Sequence, residues 1–363
     1  MKIINVVGAR PNFIKIAALF KAYQAHKDIE PVLVHTGQHY DRQMSDLFFR
    51  QLEIPEPDMN LEVGSASHTV QTAEIMKRFE PVASEHKPDA VLVVGDVNST
   101  IACGLVAVKQ GIKLVHVEAG LRSFDRSMPE EINRILTDAI SDLLFCSEQS
   151  GVDNLRREGM PDEKVFLVGN VMIDALLRNR EKAKDSKVLD KLGVSVDGYA
   201  VLTLHRPANV DNPTVFGGIL DAIDVIQGQM PVVFPTHPRT RENLAATSLG
   251  GKIENMRGVV LTDPLSYFDF LKLMSSARVV LTDSGGIQEE TTILKVPCLT
   301  LRENTERPVT AEIGTNRVVG VDTERIVAAF MEELSAPTIH SRIPQLWDGH
   351  AAERIVRILL DKI

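Results

Sequence analysis

Short apolar, β-branched runs alternate with helix-patterned stretches from one end of the chain to the other, and this alternation limits the possible folds more than any other feature. Strands that are apolar along their whole length are buried on both faces, and strands separated by helices pair in parallel. Residues 3–7 read as the first strand. Phe13, Ile16, Ala17 and Phe20 then recur at i, i+3, i+4 and i+7, which marks one face of a helix. Strands are expected at 32–35, 90–94, 113–117, 143–147 and 165–169, with a helix over 100–109. Residues 178–197 are charged and poor in strand formers, so an exposed helical connection is expected there. A second series of strands follows at 199–204, 232–235, 259–262, 279–282, 298–301 and 317–319. The expectation is an α/β chain of two doubly wound domains, 1–169 and 170–348, and a last helix over about 349–363. A length of 363 residues suits two such domains.

Composition removes several classes of function. The net charge is -9 with a pI near 5.6, which argues against a broad basic face for nucleic acid. It leaves room for a local cationic pocket that takes an anionic ligand. Cys103, Cys146 and Cys298 are far apart and form no CxxC pair, so neither a zinc site nor a disulfide framework is expected. Reduced cytoplasm is the expected compartment. The N-terminal apolar run reads as a strand rather than a signal peptide. No apolar stretch approaches the ~20 residues that a membrane helix needs. Neither GxGxxG nor GxxxxGK[ST] occurs, so the usual nicotinamide, flavin or P-loop fingerprints are missing, and no cofactor or metal is expected.

In open parallel sheets, ligands bind beyond the carboxyl ends of the strands. The residues that follow each strand are therefore the candidates. After the first strand come Arg10 and, one turn into the helix, Lys15, two cations near a helix N-terminus. After strand 90–94 comes Asp96, and after strand 113–117 comes Glu118. Pro129 fits the first position of a helix, with Glu130 and Glu131 in its first turn. Plainer roles stay open for each. Asp96 fits a helix cap, Lys15 a solvated position, and Arg134 an ion pair with Glu130 four residues before it. In the second half, strand 199–204 leads into His205, and strand 279–282 leads into Asp283-Ser284-Gly285-Gly286. A serine and two glycines at a helix start let backbone N–H groups approach a phosphate. Glu290, one turn inside that helix, is placed to accept bonds from ribose hydroxyls. Arg307 is a candidate phosphate or nucleotide contact.

Taken together, VVGARPNFIK, TGQHYDRQMSDLFF, VVGDVNST, HVEAGLRSFDRSMPEEINR, VGNVMIDAL, HRPAN, LTDSGGIQEE and TERP closely resemble the non-hydrolysing UDP-N-acetylglucosamine 2-epimerases, over essentially the whole chain. The resemblance implies the GT-B arrangement of two Rossmann-like domains around a cleft, with the last helix crossing back to the first domain. It implies reversible inversion at C2 through loss of UDP, a 2-acetamidoglucal and re-addition of UDP, in a cytoplasmic homodimer that supplies surface polysaccharide. Asp96, Glu118, Glu130 and His205 would be catalytic. Arg10, Lys15, Arg134, Phe270, Ser284, Gly285, Gly286, Glu290 and Arg307 would bind substrate, Phe270 beside the uracil. The chain departs from the family's HRxEN pattern at Ala208, and Leu265 stands where the family has a Gln. Alternatives are a 2-epimerase of a UDP-diacetamido-uronic acid, a hydrolysing epimerase and a GT-B glycosyltransferase.

Overall fold

The computed structural model describes residues 1–37, 51–335 and 342–363, with the side chain of Arg10 outside that description. Part of the TGQHYDRQMSDLFF segment, 38–49, lies outside it too. The chain divides into two compact units, Met1–Arg178 with Gln345–Ile363, and Asn179–Pro344.

The first unit holds β1 (Lys2–Val7), β2 (Glu30–His35), β3 (Met59–Asn60), β4 (Ala90–Val94), β5 (Lys113–Val117), β6 (Leu143–Cys146) and β7 (Val165–Leu167). Among the described residues they pair in parallel in the order β3-β2-β1-β4-β5-β6-β7. The second unit holds β8 (Ala200–Thr203), β9 (Val232–Pro235), β10 (Val259–Thr262), β11 (Val279–Thr282), β12 (Cys298–Thr300) and β13 (Asn316–Val318). These pair, again in parallel, as β10-β9-β8-β11-β12-β13. Each order begins 3-2-1-4, the doubly wound pattern in which the direction of strand addition across the sheet reverses between the first and fourth strands of the unit. That reversal opens a crevice at the strand ends, beyond β1 and β4 in one unit and beyond β8 and β11 in the other.

The strands behave as their sequences require. All five residues of β4 are buried, and Val91, Leu92 and Val93 have no exposed surface. Burial of each such side chain contributes roughly 1.5–3 kcal/mol. On the helix Arg10–Tyr23, the expected stripe of Phe13, Ile16, Ala17 and Phe20 is buried.

The first unit extends to Arg178 and resumes at Gln345, rather than ending at 169 and resuming at 349. Side-chain bonds explain the return. Trp347 is 1% exposed and donates from Nε1 to the carbonyl oxygen of Ser147 at 2.8 Å. Asp174, on the helix Val171–Ala183, accepts from the N–H groups of Ala351 and Ala352 at 3.1 and 2.7 Å. It thereby caps the last helix, Ala351–Lys362, which packs on the helix Arg10–Tyr23. Among the described residues no helix is long and apolar enough to cross a membrane.

Candidate functional site

In the first unit the turn after β1 is held by Asn12. Its Oδ1 accepts from the N–H groups of Gly8 and Ala9 at 3.2 and 2.9 Å, and its Nδ2 donates to the carbonyl of Val94 at 3.0 Å. One amide thus ties the end of β1 to the end of β4. Lys15 follows one turn into the helix. It is buried rather than solvated, and its ammonium pairs with the equally buried carboxylate of Glu118. Gly95 makes room for this pair: a Cβ there would fall 2.9 Å from Lys15 Nζ and 3.7 Å from Glu118 Oε2. Glu118 has φ +74°, in the left-handed region that side chains with a Cβ rarely adopt. Such conformations gather at functional sites.

Asp96 does not cap the next helix, Asn98–Lys109, whose cap is Val97 without a side-chain bond. Its carboxylate instead receives Arg134, with Nε at 3.0 Å and Nη2 at 2.8 Å. Arg134 is buried and also pairs with Glu131 on its own helix, Pro129–Ile140. The expected pair of Arg134 with Glu130 is therefore replaced by Glu131 and Asp96. Glu131, 1% exposed, also accepts from the N–H and hydroxyl of Ser123 at 2.9 and 3.0 Å and from the N–H of Phe124 at 2.9 Å. It organises the loop between β5 and this helix. Glu130, half-buried, shows no hydrogen bond or ion pair among the described residues. Arg10 opens the helix after β1, and its side chain lies outside the described residues.

In the second unit Asp283 is fully buried at the end of β11. It accepts from the N–H groups of His205 and Arg206 at 3.0 and 2.9 Å, and from His205 Nδ1 at 2.8 Å. Burial alone would raise the Asp283 carboxyl, but the His205 ring and the surrounding donors carry it below the usual carboxylate range. With Nδ1 engaged, His205 turns Nε2 away from Asp283, on a side chain 43% exposed. Ser284 precedes the helix Gly285–Leu294 and makes no side-chain cap bond. Gly285 cannot carry a side chain without meeting Glu306, whose Oε1 lies 2.6 Å from the position of a Cβ. Glu290 is buried one turn in, and its carboxyl is pushed up to about 8, first by burial and then by the charge of Glu289. Arg307, also buried, is held by Glu289 at 2.6 Å. Phe270 is half-buried on the helix Tyr267–Ser275.

The structure thus brings Lys15, Glu118, Asp96 and Arg134 together at the carboxyl ends of β4 and β5. It brings His205, Ser284, Gly285 and Gly286 together at the ends of β8 and β11. Reading the sequence missed Asn12, Glu131, Asp283 and the buried pair His116 and Asp138. Asp283 carried the signal of a strand-end position, and His116 that of a histidine inside a largely apolar strand.

A family model described as UDP-N-acetylglucosamine 2-epimerase matches residues 21–360. The chain belongs to that family of isomerases. It is 42% identical over 366 residues to the UDP-N-acetylglucosamine 2-epimerase of Methanocaldococcus jannaschii, with 99% of each chain covered. It is 41% identical over 362 residues to the UDP-2,3-diacetamido-2,3-dideoxy-D-glucuronate 2-epimerase of Pseudomonas aeruginosa, again with 99% of each covered. A crystal structure of the M. jannaschii UDP-GlcNAc 2-epimerase, in complex with UDP-GlcNAc and UDP, matches with TM-score 0.94 and 42% identity. The match covers 99% of this chain and all of that one. In this epimerase family member, then, the paired carboxylates and the glycine-lined helix start occupy the strand-end positions where doubly wound folds hold their ligands.

Proposed function

We propose that the protein interconverts UDP-N-acetylglucosamine and UDP-N-acetylmannosamine by elimination and re-addition of UDP. The observation that carries this reading is the placement of Asp96 and Glu118. Val94 and Val117 pair in register on β4 and β5, so the two carboxylates leave adjacent strands side by side, each held against a cation.

C2 of the hexose is not beside a carbonyl, so its proton is too weakly acidic for simple exchange. In the proposed reaction a carboxylate takes that proton. The C2–H electron pair becomes the C1–C2 double bond, and the C1–O bond breaks with its electrons going to the β-phosphate oxygen. This gives 2-acetamidoglucal and UDP. A second carboxyl group on the opposite face then returns a proton to C2, while the phosphate oxygen re-forms its bond to C1. Inversion thus requires proton-handling groups on two faces, and Asp96, Glu118 and Glu130 are assigned to them. The charge that grows on departing UDP falls to Arg10, Lys15, His205, Arg307 and the amides of 284–286. Glu290 takes the ribose, Phe270 lies by the uracil, and Arg134 orients Asp96. No electrons are gained or lost overall, so no redox cofactor is needed. The same reading has the enzyme act as a cytoplasmic homodimer, without a nucleic-acid or membrane partner, feeding surface polysaccharide.

The likeness to the P. aeruginosa enzyme favours one second reading, epimerisation of the diacetamido-uronic acid sugar. Incubation of each UDP-sugar in D2O, followed by NMR, decides between them. The expected result is a C2 epimer carrying deuterium from UDP-N-acetylglucosamine. Deuterium in the uronic acid sugar alone would transfer the assignment to that substrate. Neither epimer nor deuterium from either sugar would end both readings.

A further inference from the structure

Behind the strand-end carboxylates lies a buried pair that the reaction as written does not use. His116 is the one side chain with a titratable ring in β5, and it has no exposed surface. Its Nδ1 lies 2.6 Å from Asp138 Oδ1, and its Nε2 lies 2.8 Å from the carbonyl oxygen of Gly95. A carbonyl oxygen only accepts, so Nε2 is the donor there. Asp138 comes from the helix Pro129–Ile140 and is 1% exposed. Its Oδ2 accepts from the N–H of Gly120 at 3.0 Å and pairs with Arg122 at 2.7 Å. Arg122 is anchored in turn by Glu158, at 2.8 and 2.6 Å.

One ring and one carboxylate therefore grip two stretches of main chain. The ring holds the carbonyl immediately before Asp96. The carboxylate holds the N–H group two residues after Glu118. Each stretch needs holding for its own reason: Gly95, at φ +69°, has no Cβ to restrict it, and Glu118, at φ +74°, sits where a Cβ is disfavoured. A side chain with a Cβ keeps that conformation only where its surroundings determine it. Gly120, at φ +80°, leaves no slack of its own, because a Cβ there would fall 2.3 Å from the carbonyl oxygen of Gly151.

We infer that His116 and Asp138 are positioning residues for the C2 proton transfers. They set the spacing and direction of Asp96 and Glu118 by clamping the peptide group that precedes Asp96 and the one that joins Ala119 to Gly120. The inference rests on the epimerase reading above. Two groups that serve opposite faces of one carbon must keep their separation, and a displacement of about 1 Å costs on the order of 10²-fold in rate. Among the described residues, neither His116 nor Asp138 bonds to a residue assigned to UDP, and the clamp reaches Lys15 only through Glu118, so its loss should largely spare nucleotide affinity. The two halves of the reaction use different carboxylates. A loosened clamp should therefore let elimination outrun the return of the proton and release glucal with free UDP.

The test assays wild type, H116Q and D138N with UDP-N-acetylglucosamine in D2O. It reads epimer, C2 deuterium and free UDP by NMR, with UDP affinity by calorimetry and folding by circular dichroism. The expected result for the folded variants is a kcat for epimer lowered about 100-fold, KM and UDP affinity changed less than about threefold, and a larger share of turnovers ending in free UDP. A folded variant that epimerises at the wild-type rate, even with a lowered melting temperature, would show that the pair only fills the core. Loss of UDP affinity in step with kcat would equally overturn the clamp. If H116Q does not fold, D138N, whose carboxamide keeps an acceptor for Gly120, decides the matter. Absence of C2 deuterium with wild type would sink the epimerase reading and the clamp with it, whereas an active wild type beside equally active variants would sink the clamp alone.

Discussion

Glu290 links pH to both stability and binding. Its carboxyl, pushed up to about 8 by burial and by Glu289, titrates far above its unfolded value. The neutral form therefore favours folding. That contribution is complete below the unfolded pKa and is lost as pH rises through about 8. Ribose hydroxyls that donate to Glu290 would favour the ionised form instead. UDP binding below about pH 8 should therefore release a proton and tighten as pH rises toward that value. E290Q should melt higher than wild type above about pH 8 yet bind UDP about 10–100-fold more weakly, the worth of a hydrogen bond to a charged group. Melts on both sides of that pH, with calorimetry in buffers of different ionisation heat, check both halves. Asp96 gives the complementary case. D96N should lower turnover by about 10²–10⁴-fold, as loss of a proton-transfer group does, with UDP affinity nearly unchanged. Normal turnover in D96N would leave Asp96 only an anchor for Arg134. Asp96, Glu118 and Ser284 were legible in the sequence because a strand end is a place that periodicity alone can find. The partners were not. Arg134 has two carboxylates within one turn on its own helix, and the choice of Glu131 over Glu130 depends on Ser123 and Phe124, which fold back onto Glu131. His116 and Asp138 are 22 residues apart and meet only once the sheet and helix have packed.

Elements were more legible than residues. β4, β5, β9, β10 and β11 fall where their apolar runs place them, because a run of apolar residues bounded by turn residues marks a parallel strand whether it lies inside the sheet, as β4 and β11 do, or at its edge, as β10 does. β3, two residues long, has too little pattern to read. The helices Val171–Ala183 and Ala351–Lys362 were harder to assign to a unit, because the latch between them is a side chain. Asp174 caps the last helix across 177 residues of sequence, and no local signal announces such a cap. Burial pushes its carboxyl up to about 6, although the N–H groups of Ala352 and Ala351 pull the other way. With the folded value above the unfolded one, its stabilising contribution is complete near pH 4 and is lost as pH rises through about 6. D174N is neutral throughout. Its melting temperature relative to wild type should therefore improve steadily from about pH 4 to about pH 7. The fluorescence of Trp347, the single tryptophan, reports the same region. A difference that does not vary with pH would mean that Asp174 titrates as an ordinary surface carboxyl.

At the scale of the whole molecule, the chain repeats one architecture, and the proposed reaction divides its chemistry between the copies. The first unit carries the paired carboxylates at β4 and β5. The second carries the glycine-lined helix start after β11 and the Asp283-held histidine after β8. The proposed reaction requires one ligand to engage both sets, because the bond that breaks joins the hexose to the diphosphate. Hydrogen exchange separates the two engagements. UDP alone should protect amides chiefly around 284–290. UDP-N-acetylglucosamine should add protection at 95–97 and 118–124 in the first unit. At a ligand concentration near 100 times Kd, openings that must first release ligand should slow about 100-fold, equivalent to about 2.7 kcal/mol. If the full nucleotide sugar protects the second unit and leaves 95–97 and 118–124 exchanging as in the free protein, Asp96 and Glu118 do not meet the hexose. The chemistry assigned to them would then have to lie elsewhere in the chain.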